Sequence, residues 1–195
     1  MASHPALPAK SVKELIAHAK ASPGQVNYGS GGSGASGHLA MELFKSMAGV
    51  DLVHVPYKGV GPMITDMLAG QVRLTISSAV PLSPQVKSGK LRGLAVTSPK
   101  RSPSFPDLPA IAETVPGYEV VNWFGILAPA GTPRAIVARL NQEFNAGLAS
   151  ADLRGRLASQ GADVAGGTPE EFAGIIRADF AKWAKVVKES GAKVD

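Results

Sequence analysis

Tyr28-Gly29-Ser30-Gly31-Gly32-Ser33-Gly34-Ala35-Ser36-Gly37-His38-Leu39 follows a short apolar run at residues 26–28 and feeds a segment with helical spacing, Leu39, Leu43 and Met47. A glycine-rich loop that opens a helix presents several backbone N–H groups with no intrahelical acceptor. Together with the positive end of the helix dipole they make an anion site. A glycine-rich turn also exists without any ligand, wherever the chain needs unusual φ values. The choice between these two readings depends on what surrounds the loop.

Outward from the loop, strand and helix alternate. Ser11-Val12-Lys13-Glu14 reads as a capping box that starts a helix, stopped by Ser22-Pro23-Gly24. After the loop, a helix over residues 36–47 ends at Gly49. Residues 52–55 read as a β-branched strand, closed by Pro56-Tyr57-Lys58-Gly59. Met63, Ile64, Met67 and Leu68 then share one helix face, with Pro62 in its first turn. Residues 72–76 and 91–96 read as further strands, separated by a short helix after Pro81. Strands recurring in this rhythm predict repeated βα units: an α/β fold with a parallel sheet covered by helices on both faces.

Past Pro99 the rhythm breaks. Prolines mark an extended connection over residues 100–109, and residues 111–115 read as a short helix. Residues 120–128 read as a long strand. Three helices follow. The first is capped by Thr132, opened by Pro133, and striped by Ile136, Leu140 and Phe144. The second covers residues 151–160. The third starts with the capping box Thr168-Pro169-Glu170-Glu171 and is striped by Phe172, Ile176, Phe180 and Trp183. Trp123, Phe180 and Trp183 read as core. Two strongly amphipathic helices with one strand between them lack a sheet to cover, so this segment looks like part of a second unit.

Composition narrows the function. The chain has 195 residues, 45% of them hydrophobic, and a net charge of +5 with cations and acids intermixed. Without a basic block, and with aromatics at 6%, a nucleic-acid surface is not indicated. Cysteine is absent, which removes thiolate catalysis and cysteine-metal sites. No apolar run reaches membrane-span length, and the start shows no basic-then-apolar export signal. No His or acidic cluster has metal-ligand spacing, and no nucleophile, base and orienting group can be assembled. Neither a metal, a cofactor nor a catalytic residue is therefore assigned. His54 reads as packed in the sheet, and Asp66 as solvated in mid-helix.

The loop matches the dinucleotide fingerprint twice, as Gly29-x-Gly31-x-x-Gly34 and Gly32-x-Gly34-x-x-Gly37. The fingerprint also needs an acid at the end of the second strand, where this chain has Pro56-Tyr57-Lys58. The phosphate loop of nucleotide hydrolases fails too, because Ala35 stands where its lysine belongs. In an open parallel sheet, ligands sit beyond the carboxyl ends of the strands. Those ends carry Ser30, then Tyr57 and Lys58, then Ser77 and Ser78, then Thr97 and Ser98. The set is rich in hydroxyls, with one ammonium, and suits a carboxylate.

The chain also carries Leu7-Pro8-Ala9-Lys10-Ser11-Val12-Lys13-Glu14-Leu15-Ile16, Asn27-Tyr28-Gly29-Ser30, His38-Leu39-Ala40-x-Glu42-Leu43-Phe44 and His54-Val55-Pro56-Tyr57-Lys58-Gly59. Further on stand Gly89-Lys90-Leu91-Arg92-Gly93-Leu94-Ala95-Val96-Thr97-Ser98, Trp123-Phe124-Gly125 and Ala128-Pro129-Ala130-Gly131-Thr132-Pro133. In these it resembles the periplasmic solute receptors of tripartite tricarboxylate transporters, the Bug family, over almost its whole length.

The resemblance implies a periplasmic-binding-protein-like fold of type II, the Venus flytrap. Two α/β lobes would close on a di- or tricarboxylate or an aromatic acid, which is passed to membrane transporter subunits. It implies a periplasmic location and no enzymatic activity. It further implies that residues 1–122 form the ligand-binding second lobe, and that residues 123–195 belong to a first lobe whose larger part would precede His4. Such a chain is expected to bind carboxylate weakly. The ligand residues implied are the amides of Gly31, Ser33, Gly34, Ala35 and Ser36, the hydroxyls of Ser30, Ser33 and Ser36, and His38, Lys58 and Ser78. Ala35 stands where members often have Thr, and Ser77-Ser78 where they often have an acidic or amide residue. Two alternatives stay open: a nucleotide-binding α/β enzyme using residues 29–37, and an interaction module built from the C-terminal helices, which are also the expected route to self-association.

Overall fold

In a computed structural model, residues 1–192 are described, so the last three positions of the segment expected to belong to a second unit lie outside the described residues. The elements run β1 (Ala2–Ser3), α1 (Val12–Ala21), β2 (Asn27–Ser30), α2 (Ser36–Ala48), β3 (Val53–Pro56), α3 (Val60–Leu68), β4 (Leu74–Thr75), α4 (Ala79–Lys87) and β5 (Arg92–Gly93). A single 3₁₀ turn, Ile111–Glu113, and three helices follow: α5 (Arg134–Ala149), α6 (Ala151–Ser159) and α7 (Pro169–Ser190).

The five strands form one sheet in the order β3-β2-β4-β1-β5. The βα rhythm produces the expected parallel pairs, β2 with β3 and β2 with β4. Between β4 and β5, however, lies β1, antiparallel to both. Two residues give no periodic signal, so this strand is invisible in the sequence. The strands expected at residues 72–76 and 91–96 shrink to two residues each, and Val96 adds one bridge to Ala110.

Alternation along β2 assigns the two faces. Tyr28 points into a core built with Val12 and Leu15 of α1 and Met41 and Phe44 of α2. Gly29 faces the other way, where Met63 and Met67 of α3 pack with Val72 and Leu82. A Cβ on Gly29 would lie 2.7 Å from Met63 Cγ, so only glycine lets α3 lie this close to the strand. Both sheet faces are thereby covered, as the βα pattern requires.

Helix ends follow local chemistry. Ser11 Oγ accepts from Glu14 N at 3.2 Å, while Glu14 Oε2 reaches one residue beyond the cap to accept from Lys10 N at 2.8 Å. Thr168 and Glu171 form the full reciprocal box at the start of α7. Thr132 does not cap α5. Pro133 occupies the cap position, and the Thr132 hydroxyl instead donates to Pro129 O at 2.8 Å.

The largest departure is residues 120–128. They form no strand, and residues 121–130 are exposed throughout. A β-prone stretch becomes a strand only when a neighbour completes its hydrogen-bond ladder; Val120 N donates to Thr97 O at 2.8 Å, and among the described residues no strand carries the pairing further. The core assignment of Trp123 and Phe180 fails with it. Trp123 is partly exposed, its Nε1 donating to Asp179 Oδ2 at 2.6 Å and its ring meeting Phe172 edge-on at 5.0 Å. Phe180 is 79% exposed, while Trp183 does pack against the main core. Helices α5 and α6 bury no residue, and α7 buries only Val186 as it lies along α2.

Candidate anion site at the carboxyl ends of the strands

Because β3, β2 and β4 are parallel neighbours, the segments leaving their carboxyl ends lie side by side. These are residues 31–35, residues 57–59 and residues 77–78. They are tied together: Tyr57 N donates to Ser30 O at 3.1 Å and Gly59 N to Gly31 O at 3.0 Å. Gly37, in the first turn of α2, runs against the end of β4 so closely that a Cβ there would sit 2.2 Å from Ile76 O.

The loop itself is a tight turn. Gly32 and Gly34 take φ values of 137 and 77, conformations that side-chain-bearing residues avoid. Ala35 N closes the turn on Gly32 O at 3.2 Å. Ala35 is also the cap residue of α2, and a methyl group cannot accept a hydrogen bond, so the helix start has no side-chain cap. The donors and dipole of the first turn are left for something outside the helix.

Ser30 is buried and its hydroxyl is fully used. Ser30 Oγ donates to Gly32 O at 3.0 Å, accepts from Gly32 N at 3.2 Å, and contacts His54 Nε2 at 2.6 Å. With its proton on Gly32, the hydroxyl accepts from His54 Nε2–H. A serine arranged in this way holds the loop together and is not poised as a nucleophile. Gly34 N donates to Nδ1 of the buried His38 at 3.0 Å. Ser36 is exposed at the helix start, and Gly31, Ser33 and Ala35 are half-buried along the turn. Ser78, half-buried, occupies the cap position of α4 without bonding its amides. Lys58 is exposed beside Gly59.

Behind the loop lies a network the sequence reading missed. The His38 and His54 rings stack at 3.9 Å with planes 6° apart, and Tyr28 continues the stack at 4.9 Å from His54. The Tyr28 hydroxyl donates to Glu42 Oε1 at 2.6 Å, which also takes Lys45 Nζ at 2.7 Å. Burial, then the Glu42 carboxylate, pushes the Tyr28 phenol well above its usual range. His54 is therefore packed in the sheet, as expected, but also braces the loop. Asp66 departs from its reading as solvated, accepting from the Tyr57 hydroxyl at 2.8 Å. Burial, with Asp66 second, raises the Tyr57 phenol to about 12. Two signals were present in the sequence: the helical spacing of His38, Glu42 and Lys45, and the strand register that pairs Tyr28 with His54.

A groove of about 300 Å³ borders the loop, lined by Ser36, residues 120–123 and the Ile176, Asp179, Phe180 and Trp183 side of α7. Among the described residues, no group of three His, Asp or Glu side chains is placed to hold a metal, and no helix is long and apolar enough to cross a membrane.

Residues 1–192 match the model of the tripartite tricarboxylate transporter family receptor. Protein BugT of Bordetella pertussis is 37% identical over 195 residues, covering 100% of this chain and 60% of BugT. Among solved structures, R. palustris Rpa4515 with adipate is 42% identical with a TM-score of 0.90, covering 98% of this chain and 64% of that one. MatC from Rhodopseudomonas palustris with bound malate is 29% identical with a TM-score of 0.81, covering 95% and 65%. The chain thus spans less than two thirds of the length of these relatives. The fold is that of periplasmic binding proteins such as BugD, 33% identical with a TM-score of 0.84 over 98% of this chain and 65% of that one, and the chain belongs to the tripartite tricarboxylate transporter family of receptors.

Proposed function

We propose that this chain supplies one wall of a receptor for a small dicarboxylate, holding a carboxylate group at the start of α2 without transforming it. The observation that carries the reading is the α2 terminus. It lacks a side-chain cap, it stands at the carboxyl end of β2, between the parallel strands β3 and β4, and hydrogen bonds to residues 57–59 brace the loop before it. The amides of Gly31, Ser33 and Ser36 and the hydroxyls of Ser33 and Ser36 are the donors, with Ser78 and Lys58 at the neighbouring strand ends; the amides of Gly32, Gly34 and Ala35 are spent within the turn on Ser30 Oγ, His38 Nδ1 and Gly32 O. Ser30 and His38 shape the loop from behind. The adipate and malate of the solved relatives support a dicarboxylate as ligand. Delivery to transporter subunits and a periplasmic location follow from the family as part of the same proposal.

Binding by this chain alone is weak, in about the millimolar range, because one wall supplies only part of the contacts. The faces bearing Phe124 (82% exposed), Phe144 and Phe180 are the surface we assign to the remainder of a first lobe, a reading supported by relatives that are longer than this chain. The nucleotide alternative is not favoured: no acid stands at the end of β3, and the family is one of receptors. Titration with adipate, malate, ATP and NAD, followed through the loop amides by NMR, tests the proposal. Shifts with adipate or malate support it, and shifts confined to the nucleotides refute it.

A further inference from the structure

The second nitrogen of the His38 contact carries an inference that rests on the receptor reading and extends it to regulation of the same loop. Gly34 N–H donates to His38 Nδ1 at 3.0 Å, so Nδ1 holds a lone pair and the ring proton sits on Nε2. That Nε2 lies 4.0 Å from Glu42 Oε1 on the same helix. The ring is held in plane by His54 of β3, itself against Ser30, and by Tyr28 of β2, whose hydroxyl also binds Glu42. Lys45 adds a cation paired to Glu42. A second proton on His38 would sit on Nδ1 and face the Gly34 N–H, donor against donor. It would also charge a ring stacked 3.9 Å from another imidazole, so the two cannot comfortably be charged together.

We propose that His38 is a positioning residue of the anion loop. As the neutral Nε2–H tautomer it anchors the Gly34 amide, and protonation of His38 releases the turn, so the loop holds carboxylate at neutral pH and lets it go in acid. A His38 that touched the ligand directly would do the reverse, since an imidazolium attracts an anion.

The test uses the full chain, labelled with ¹⁵N, from about pH 8 to about pH 5.5, where an ordinary histidine changes charge. The ring nitrogens of His38 should report the Nε2–H tautomer at high pH. The Gly34 amide should shift in step with His38 protonation. Adipate affinity, read from the loop amides, should fall about tenfold over that range in the wild type. His38→Asn keeps an acceptor near the Nδ1 position but does not titrate. It should retain the high-pH affinity and lose the extra pH dependence, while the titration of adipate itself remains common to both proteins. His38→Leu keeps bulk without an acceptor and should be weak throughout. An Nδ1–H tautomer, a Gly34 amide indifferent to His38, unchanged pH dependence in His38→Asn, or affinity that rises in acid would each overturn the proposal. If His38→Asn does not fold, the wild-type ring and Gly34 shifts decide alone. Absence of adipate or malate binding at every pH would sink the receptor reading instead, and leaves those shifts to judge the His38 contact separately.

Discussion

Gly37→Ala probes the packing on which the site depends. Gly37 lies in the first turn of α2, and its added Cβ would fall 2.2 Å from Ile76 O, more than about 1 Å inside ordinary contact. The atom it meets is backbone at the end of β4, so no side chain can swing aside. Relief requires α2 to shift away from the sheet, at a cost of about 1–3 kcal/mol for overpacking. Gly174→Ala in α7 is the control. Its Cβ meets nothing within 4 Å, so the variant should gain up to about 1 kcal/mol from helix propensity alone. Urea denaturation of the two variants separates the effects, with the midpoint lower for Gly37→Ala, higher for Gly174→Ala, and the slope unchanged for both. The displaced first turn should also weaken carboxylate binding in Gly37→Ala. If that variant proves as stable as the wild type, the close approach of α2 to β4 is wrong, and with it the placement of the anion loop.

Other expectations follow from single contacts. Ser11→Ala and Thr168→Ala each remove a cap bond and should cost about 1 kcal/mol, whereas Thr132→Ala should stay within about 0.5 kcal/mol because that hydroxyl caps nothing. All three tyrosines are held neutral in the fold, chiefly by burial: Tyr57 at about 12, Tyr28 and Tyr118 further up. Their stabilising effect is complete below the unfolded phenol value near 10 and is lost as pH rises from there toward the folded values. Ultraviolet titration should show tyrosinate appearing together with alkaline unfolding, and a tyrosine ionising near pH 10 in the folded chain would contradict the burial. Light scattering should find the isolated chain associating through the Phe124, Phe144 and Phe180 surface. A strict monomer that binds no apolar dye would count against an uncovered face.

The parts of the fold legible in the sequence are those with local causes. Ser11, Thr168 and Gly49 mark helix ends through contacts within a turn, and Met63 and Met67 reveal a buried face by spacing alone. What local chemistry did not reveal depends on distant neighbours. Residues 120–128 have strand composition, but pairing is decided by the presence of an adjacent strand. Ala2 and Ser3 have no strand composition, yet they pair on both sides because β4 and β5 leave a gap between them. The site divides in the same way. The glycine turn announces itself through its composition. The brace behind it does not, since Ser30 meets His54 across 24 positions and Tyr28 meets Glu42 across 14. The Asp66 contact is hidden in the same way, because its partner Tyr57 lies outside α3, in the preceding loop.

The central claim is that the bare start of α2 grips a carboxylate. Adipate added to the ¹⁵N-labelled chain at neutral pH should move the amides of Gly31, Ser33, Ser36 and Gly37 along one saturable curve, with the adipate recovered unchanged. Shifts scattered elsewhere with these four amides still, or a loop that answers only to ATP or NAD, would contradict it.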